Sequence, residues 1–268
     1  MLHLRSIYRF PLKSGQGESL TQVGLDALGV VGDRRWMLVD EATGRFLTPR
    51  ADPKMSQLSA LWNASGGLRL STAGTAALDV EVPDANTDLR GVTIWRDTLR
   101  VPDAGEAAAR WLSAFIERPV RLVHVPLERA RTTEAGYGRD DDKVAFADGY
   151  PLLLIGQGSL DDISTRLGRP LDMLRFRPNL VVEGSEAFAE DGWKRIRIGD
   201  VEFRLVKSCS RCILTTIDPQ TGERDEQREP LMTLMSYRKQ EGGTMFGQNL
   251  VNDSNGVLEV GMPVTVLE

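Results

Sequence analysis

Short runs rich in Val, Ile, Leu, Phe and Trp, each cut off by Gly, Pro or Asp, recur from one end of the 268-residue chain to the other, with 26 Gly and 13 Pro as punctuation. Such runs are strand-length, and their spacing leaves room for tight turns and few helices. The first hundred residues supply LHLRSIYRF, VGDRRWMLVD, RFLTPR after a turn at EATG, LSALW, GLRLST, ALDVEV and GVTIW, which predicts a small antiparallel barrel or sandwich over residues 1–100. From Asp103 to Arg118, Ala107, Ala108, Trp111, Leu112 and Phe115 fall at helical spacing, and Pro119 follows. That window predicts a helix opening a second unit, residues 101–268.

Within this second unit VRLVHVP and PLLLIG read as strands, and the Gly-rich charged stretch 131–143 between them reads as a loop over a site. Ser159 to Leu167 reads as a short helix with Ser159 as its cap. RPNLVVEG, WKRIRIGD, VEFRLVKS, CILTTID, GVLEV and PVTVLE then return to the strand pattern, with SYRKQ as a helix end. The fold class expected is mainly β with a few helices, an N-terminal barrel-like unit followed by a second β-barrel unit. No internal repeat is visible.

Composition excludes several functions. A net charge of −5 gives no positive field of the kind that gathers nucleic acid. No window approaches a membrane span and the N-terminus lacks a signal-peptide pattern, so the expectation is a soluble cytoplasmic protein. The only cysteines are Cys209 and Cys212, too few for a disulfide framework, a four-thiolate zinc site or an all-cysteine iron–sulfur cluster. His3 and His124 lie far apart, which disfavours catalytic zinc.

Chemistry concentrates in KSCSRCILTTIDPQTG, residues 207–222, where Lys207 and Arg211 flank the two thiols. Adjacent cations favour thiolate, the form that ligates metals, attacks disulfides or carries persulfide. Elsewhere Lys13, Ser14, Arg34, Arg35 and Arg177 sit beside turn formers, a scatter suited to a small phosphorylated ligand. The run Asp140 to Asp142 reads as a solvated loop, whereas Asp148 lies where a charged loop meets the apolar PLLLIG strand. No nucleotide-binding glycine motif occurs.

FPLKS at 10–14, GDRRWMLVD at 32–40, FADGYPLLLI at 146–155, RFRPN at 175–179, CSRCILTTIDPQTG at 209–222 and FGQN at 246–249 together resemble the MOSC family with its N-terminal β-barrel partner domain. The pattern is similar to that of the mitochondrial amidoxime reducing component and its bacterial counterparts. The resemblance implies a molybdenum–molybdopterin cofactor (Moco) and reduction of N-hydroxylated small molecules. It makes Cys212 the metal ligand, and it places Asp148 beside the metal as a catalytic residue. Lys13, Ser14, Arg34, Asp148, Tyr150, Arg177, Ser210, Arg211 and Asn249 become cofactor contacts. Tyr150 stands where the animal enzymes carry a small hydroxyl residue, and Asn249 where they carry a tyrosine. With no cysteines left for a cluster, electrons would come from a separate ferredoxin-, flavoprotein- or cytochrome-type protein. The alternatives are a persulfide-carrying sulfur-transfer protein using Cys212, and a non-catalytic cofactor carrier.

Overall fold

The computed structural model describes residues 1–268 and is mainly β, with three α-helices. Its largest sheet has nine strands drawn from both ends of the chain. In hydrogen-bonded order these are Glu18–Leu20, His3–Arg9, Leu180–Glu183, Leu152–Gly156, Gly243–Asn252, Val201–Arg211, Arg195–Ile198 and Val264–Val266, with Lys239–Gln240 added to Gly243–Asn252. All pairings are antiparallel except that of Leu152–Gly156 with Leu180–Glu183, whose crossover contains helix Gln157–Leu167. This explains the unbroken apolar run PLLLIG: Leu152–Gly156 is buried at every position, as a central strand covered on both faces must be. Leu152 and Leu154 point into a core with Leu4, Ile7, Phe203 and Leu250. Ile155 points the other way, to Leu160, Ile163, Phe176 and Phe246.

The remaining strands form small sheets. Trp36–Asp40 pairs with Val120–His124, Ser59–Trp62, Leu68–Thr72 and Thr75–Val80 form a meander, and Leu89–Ile94 turns back as Asp97–Pro102. Helix Glu106–Ile116 lays Ala108, Leu112 and Ile116 on Trp36, Leu38, Leu58 and Leu70. It is shorter than the 103–118 window, because Gly105 begins it and Glu117, in the left-handed region before Arg118 and Pro119, ends it.

Three local expectations differ from the structure. CILTTID is not a strand: Ile213–Thr216 is a 3-10 turn, since Thr215 and Thr216 return their hydroxyls to the carbonyls of Cys212 and Ile213. RFLTPR forms only isolated bridges at Arg45 and Phe46, then turns, with the Thr48 carbonyl accepting from the amides of Ala51 and Asp52. Ser159 lies inside helix Gln157–Leu167 and does not cap it; its hydroxyl donates to the buried Glu190 carboxylate.

One buried side chain ties the site-bearing segments together. Asn179 is 1% exposed; its Oδ1 accepts from the Leu153 amide at 3.2 Å and from Arg34 Nη1 at 3.0 Å, while its Nδ2 donates to the Tyr8 carbonyl at 3.2 Å. Asn179→Leu takes this partner from the buried Leu153 amide and from the Tyr8 carbonyl, each costing about 1–3 kcal/mol when left unpaired, while Arg34 Nη1 keeps Asp33. We predict a loss of about 2 kcal/mol or more in urea unfolding. A midpoint within error of wild type would contradict this assignment.

Candidate functional site

The segments that lead into strands Leu152–Gly156 and Leu180–Glu183, with those that follow His3–Arg9 and Val201–Arg211, enclose a cavity of about 440 Å³. Lys13, Ser14, Arg34, Asp148, Tyr150, Arg177, Ser210, Arg211, Cys212 and Asn249 all line it, as do Cys209, Phe10, Phe46, Arg50 and Trp95. Residues distant in sequence thus converge on one space. Four of the lining residues that are not glycine, Ser14, Arg34, Trp95 and Arg177, occupy the left-handed backbone region, with φ of 70°, 47°, 53° and 54°. Strained backbone of this kind persists where the surrounding structure enforces it, commonly around a site.

Lys13 is buried at the cavity wall, where its ammonium donates to the Phe146 carbonyl at 2.8 Å and to Asp148 Oδ1 at 2.5 Å. Burial pulls its pKa below the ordinary lysine value, with the Asp148 carboxylate opposing. Asp148 faces the open cavity, and Trp95 Nε1 also donates to its Oδ1, at 3.1 Å. Burial within the surrounding walls would raise its pKa, but Lys13 outweighs that and draws it down to about 2. At neutral pH Asp148 is therefore an anion and an acceptor.

The arginines are differently placed. Arg34 binds Asp33, Asn179 and the Arg177 carbonyl. Arg177 has no carboxylate partner. One of its nitrogens donates to the Gly15 carbonyl at 2.5 Å, Nη2 is buried with no partner, and burial together with Arg34 brings its pKa down to about 9. Both guanidinium groups lie against the Phe10 ring, at 4.4 and 4.2 Å from its centroid. Arg211 likewise donates only to carbonyls, those of Phe246 at 2.7 Å and Phe176 at 2.9 Å, and its buried Nη2 is unpartnered. The Tyr150 hydroxyl is a third unpartnered polar group, and burial raises its pKa. Asn249 donates to the Lys207 carbonyl and Ser210 to that of Gly242.

Cys212 begins the 3-10 turn, and its Sγ accepts from Arg50 Nη2 at 3.0 Å. Cys209 departs from the sequence expectation. Burial pushes its thiol pKa up and outweighs the opposing Arg211, while Lys207 is paired with Glu134 at 2.6 Å. Flanking cations therefore do not make Cys209 a thiolate.

These features fit an anion with soft-ligand chemistry at one end. Buried polar groups are satisfied in nearly all native structures, so unpartnered nitrogens on Arg177 and Arg211 mark positions for a ligand's acceptors. A guanidinium fork suits a phosphate, and a thiol on the same wall suits a metal.

Sequence reasoning missed Arg50, Trp95, Phe46 and Phe10. Nothing in their local pattern marks them: Arg50 meets Cys212 across 162 positions and Trp95 meets Asp148 across 53. Conversely, none of residues 131–143 lines the cavity. Asp140 and Asp141 are exposed as expected, but Asp142 is buried and bound to Arg204 at 2.7 and 2.9 Å.

The chain is a two-domain MOSC protein: residues 1–119 match the MOSC N-terminal beta barrel domain and residues 141–265 the MOSC domain. It belongs to this family together with the mitochondrial amidoxime-reducing components. Component 1 of Homo sapiens is 34% identical over 97% of this chain and 82% of its own length, and component 2 of Rattus norvegicus 36% over 96% and 81%. The molybdenum cofactor sulfurase of Oryza sativa subsp. japonica is 31% identical over 92% of this chain, but over only 32% of itself. No helix is long and apolar enough to cross a membrane.

The Lys13–Asp148 pair yields a signed prediction. Asp148→Asn removes the anion that favours the ammonium and leaves burial, Arg131 and Arg34 unopposed, so Lys13 deprotonates at lower pH. NMR titration of the lysine Cε resonances should show that displacement. An unmoved Lys13 would mean that the pair is not coupled as described.

Proposed function

We propose that this chain binds a molybdenum–molybdopterin cofactor, with Cys212 as the metal ligand, and reduces N-hydroxylated compounds. The observation that carries this reading is the pairing, in one cavity, of an accessible thiol with two buried guanidinium groups that lack carboxylate partners. The relatives support the reaction class, since they are named for reducing amidoximes.

In this reading Arg177 and Arg34 hold the phosphate end, where their shared positive charge disfavours either group alone and favours a bound dianion. Lys13, Ser14, Ser210 and Asn249 surround the pterin with donors and acceptors. Arg211, fixed by two carbonyls, keeps one nitrogen for the cofactor beside Cys212. When bound, the cofactor supplies the two-electron chemistry at nitrogen, and the protein supplies position and electrostatics.

Asp148 has a defined part. Its low pKa rules it out as a resting proton donor near neutrality, whereas Lys13, buried with its proton held between Asp148 and the Phe146 carbonyl, is the acidic group at this wall. Asp148 orients a substrate N–H or hydroxyl as an acceptor, and it keeps Lys13 protonated. Both actions shape the site without consuming a redox equivalent, so electrons must arrive from outside. With only two cysteines, both on the cavity wall, the chain cannot bind an all-cysteine cluster, and the donor is a separate ferredoxin-, flavoprotein- or cytochrome-type protein.

A second reading, sulfur transfer through a persulfide on Cys212, draws support from the sulfurase relative, although that match leaves most of the sulfurase unaccounted for. Metal and pterin analysis separates the readings. Protein made in a host that synthesises the pterin should carry about one molybdenum per chain, and Cys212→Ala should lose the metal or at least a hundredfold of the reductase rate seen with an added electron donor, about 2.7 kcal/mol of barrier. Wild-type protein lacking molybdenum and pterin, but gaining one sulfur in mass at a cysteine, would establish sulfur transfer instead. Stoichiometric metal with no turnover from any donor would mark a cofactor carrier.

A further inference from the structure

The contact between Arg50 and Cys212 is unexplained by anything above. Arg50 belongs to the N-terminal barrel region and has no carboxylate within ion-pair distance, yet it donates to the Cys212 sulfur at 3.0 Å. Its placement is built by several independent contacts. Pro49, buried, fixes the backbone before it, and the Thr48 carbonyl closes the turn by accepting from the amides of Ala51 and Asp52. Asp52 is then clamped by Arg118 at 2.8 Å, and Gln57 donates to the Thr221 carbonyl at 2.9 Å, fastening this segment to the loop that follows Cys212. On the cavity side the guanidinium lies 5.7 Å from the Trp95 ring centroid, and Trp95 in turn donates to Asp148. An unbroken series of contacts thus runs Cys212, Arg50, Trp95, Asp148, Lys13.

We infer that Arg50 is a positioning residue for the Cys212 sulfur, supplied by the N-terminal domain, whose N–H···S hydrogen bond sets the orientation and electron-donating strength of that ligand. The inference rests on the reading of Cys212 as the metal ligand. The physical reason is general: a donor on a metal-bound sulfur withdraws charge from it, so outer partners tune the metal through the ligand they touch. A cation on a flexible stem would do this poorly. Stacking on Trp95 and the anchored turn limit the conformations Arg50 must give up. The arrangement also gives the N-terminal domain a direct role at the thiol, beyond walling the cavity.

The test uses full-length holoprotein and the variants Arg50→Met, which keeps the length without a donor, and Arg50→Lys, which keeps a donor and the charge. Pterin and molybdenum content, the electron paramagnetic resonance spectrum of the one-electron-reduced metal, and the reduction midpoint are read for each. We expect Arg50→Met to retain pterin and metal at wild-type stoichiometry, to shift the spectrum, and to move the midpoint to more negative potential. Arg50→Lys, a donor on a more flexible stem, should return both readouts only part of the way to wild type. An unchanged spectrum and midpoint in Arg50→Met would overturn the inference, and so would loss of pterin together with metal, which would make Arg50 a contact of the pterin. Wild-type protein that carries no molybdenum would instead overturn the cofactor reading beneath it. Because Arg50 is exposed and has no carboxylate partner, thermal unfolding of the variants should match wild type. A collapse of stability in both variants would make Arg50 a structural residue and likewise refute its role at the sulfur.

Discussion

A guanidinium held inside a protein without a carboxylate is costly, and the cavity of this chain holds two, on Arg177 and Arg211. Much of the surrounding architecture serves to keep them there. Arg34 is the hub: its backbone amide donates to the Phe10 carbonyl, its own carbonyl accepts from the Phe146 amide, and its side chain spans Asp33, Asn179 and the Arg177 carbonyl. The Phe10 ring packs against Arg34 and Arg177 together. Burial and mutual repulsion leave this cluster short of negative charge, a deficit that a bound phosphate would relieve.

The same economy explains how the two domains cooperate. The nine-stranded sheet takes His3–Arg9 and Glu18–Leu20 from the N-terminal part of the chain, so both parts share one core and one set of strand ends. The MOSC-matched region contributes Asp148, Arg177 and Cys212; the N-terminal region contributes Lys13, Arg34, Arg50 and Trp95. Cys212 and Asp148 each touch a residue from the other domain, Cys212 through Arg50 and Asp148 through Lys13 and Trp95. Relative displacement of the domains would therefore change the thiol and the carboxylate together.

Much of this was legible in the sequence where local rules apply. Strand runs such as PLLLIG declare a central buried strand, and the helical window fell on Glu106–Ile116 with its ends overdrawn. Every residue that the resemblance placed at the cofactor lines one cavity, whereas Arg35, read with the same cationic scatter, does not and pairs instead with Asp26 at 2.6 Å. Local rules fail where side chains compete with the backbone: Thr215 and Thr216 turned a predicted strand into a 3-10 turn, and Ser159 went to Glu190 instead of capping. Cys209 shows a different limit. Cations adjacent in sequence suggested a thiolate, but Lys207 pairs with Glu134 and burial dominates what remains, a balance that only three-dimensional surroundings decide. Arg50 and Trp95 act across long sequence separations from segments that read as strands, and Asn179, though part of the RFRPN motif, makes contacts that nothing in its local pattern announces.

The central claim is that the Cys212 sulfur is bound to molybdenum. X-ray absorption at the molybdenum edge tests it most directly, by counting sulfur neighbours in wild-type protein and in Cys212→Ser. The account predicts that the wild-type metal carries one sulfur neighbour beyond the pterin pair, and that this neighbour alone is lost in the variant while the pterin sulfurs remain. An identical sulfur count in both proteins would contradict it.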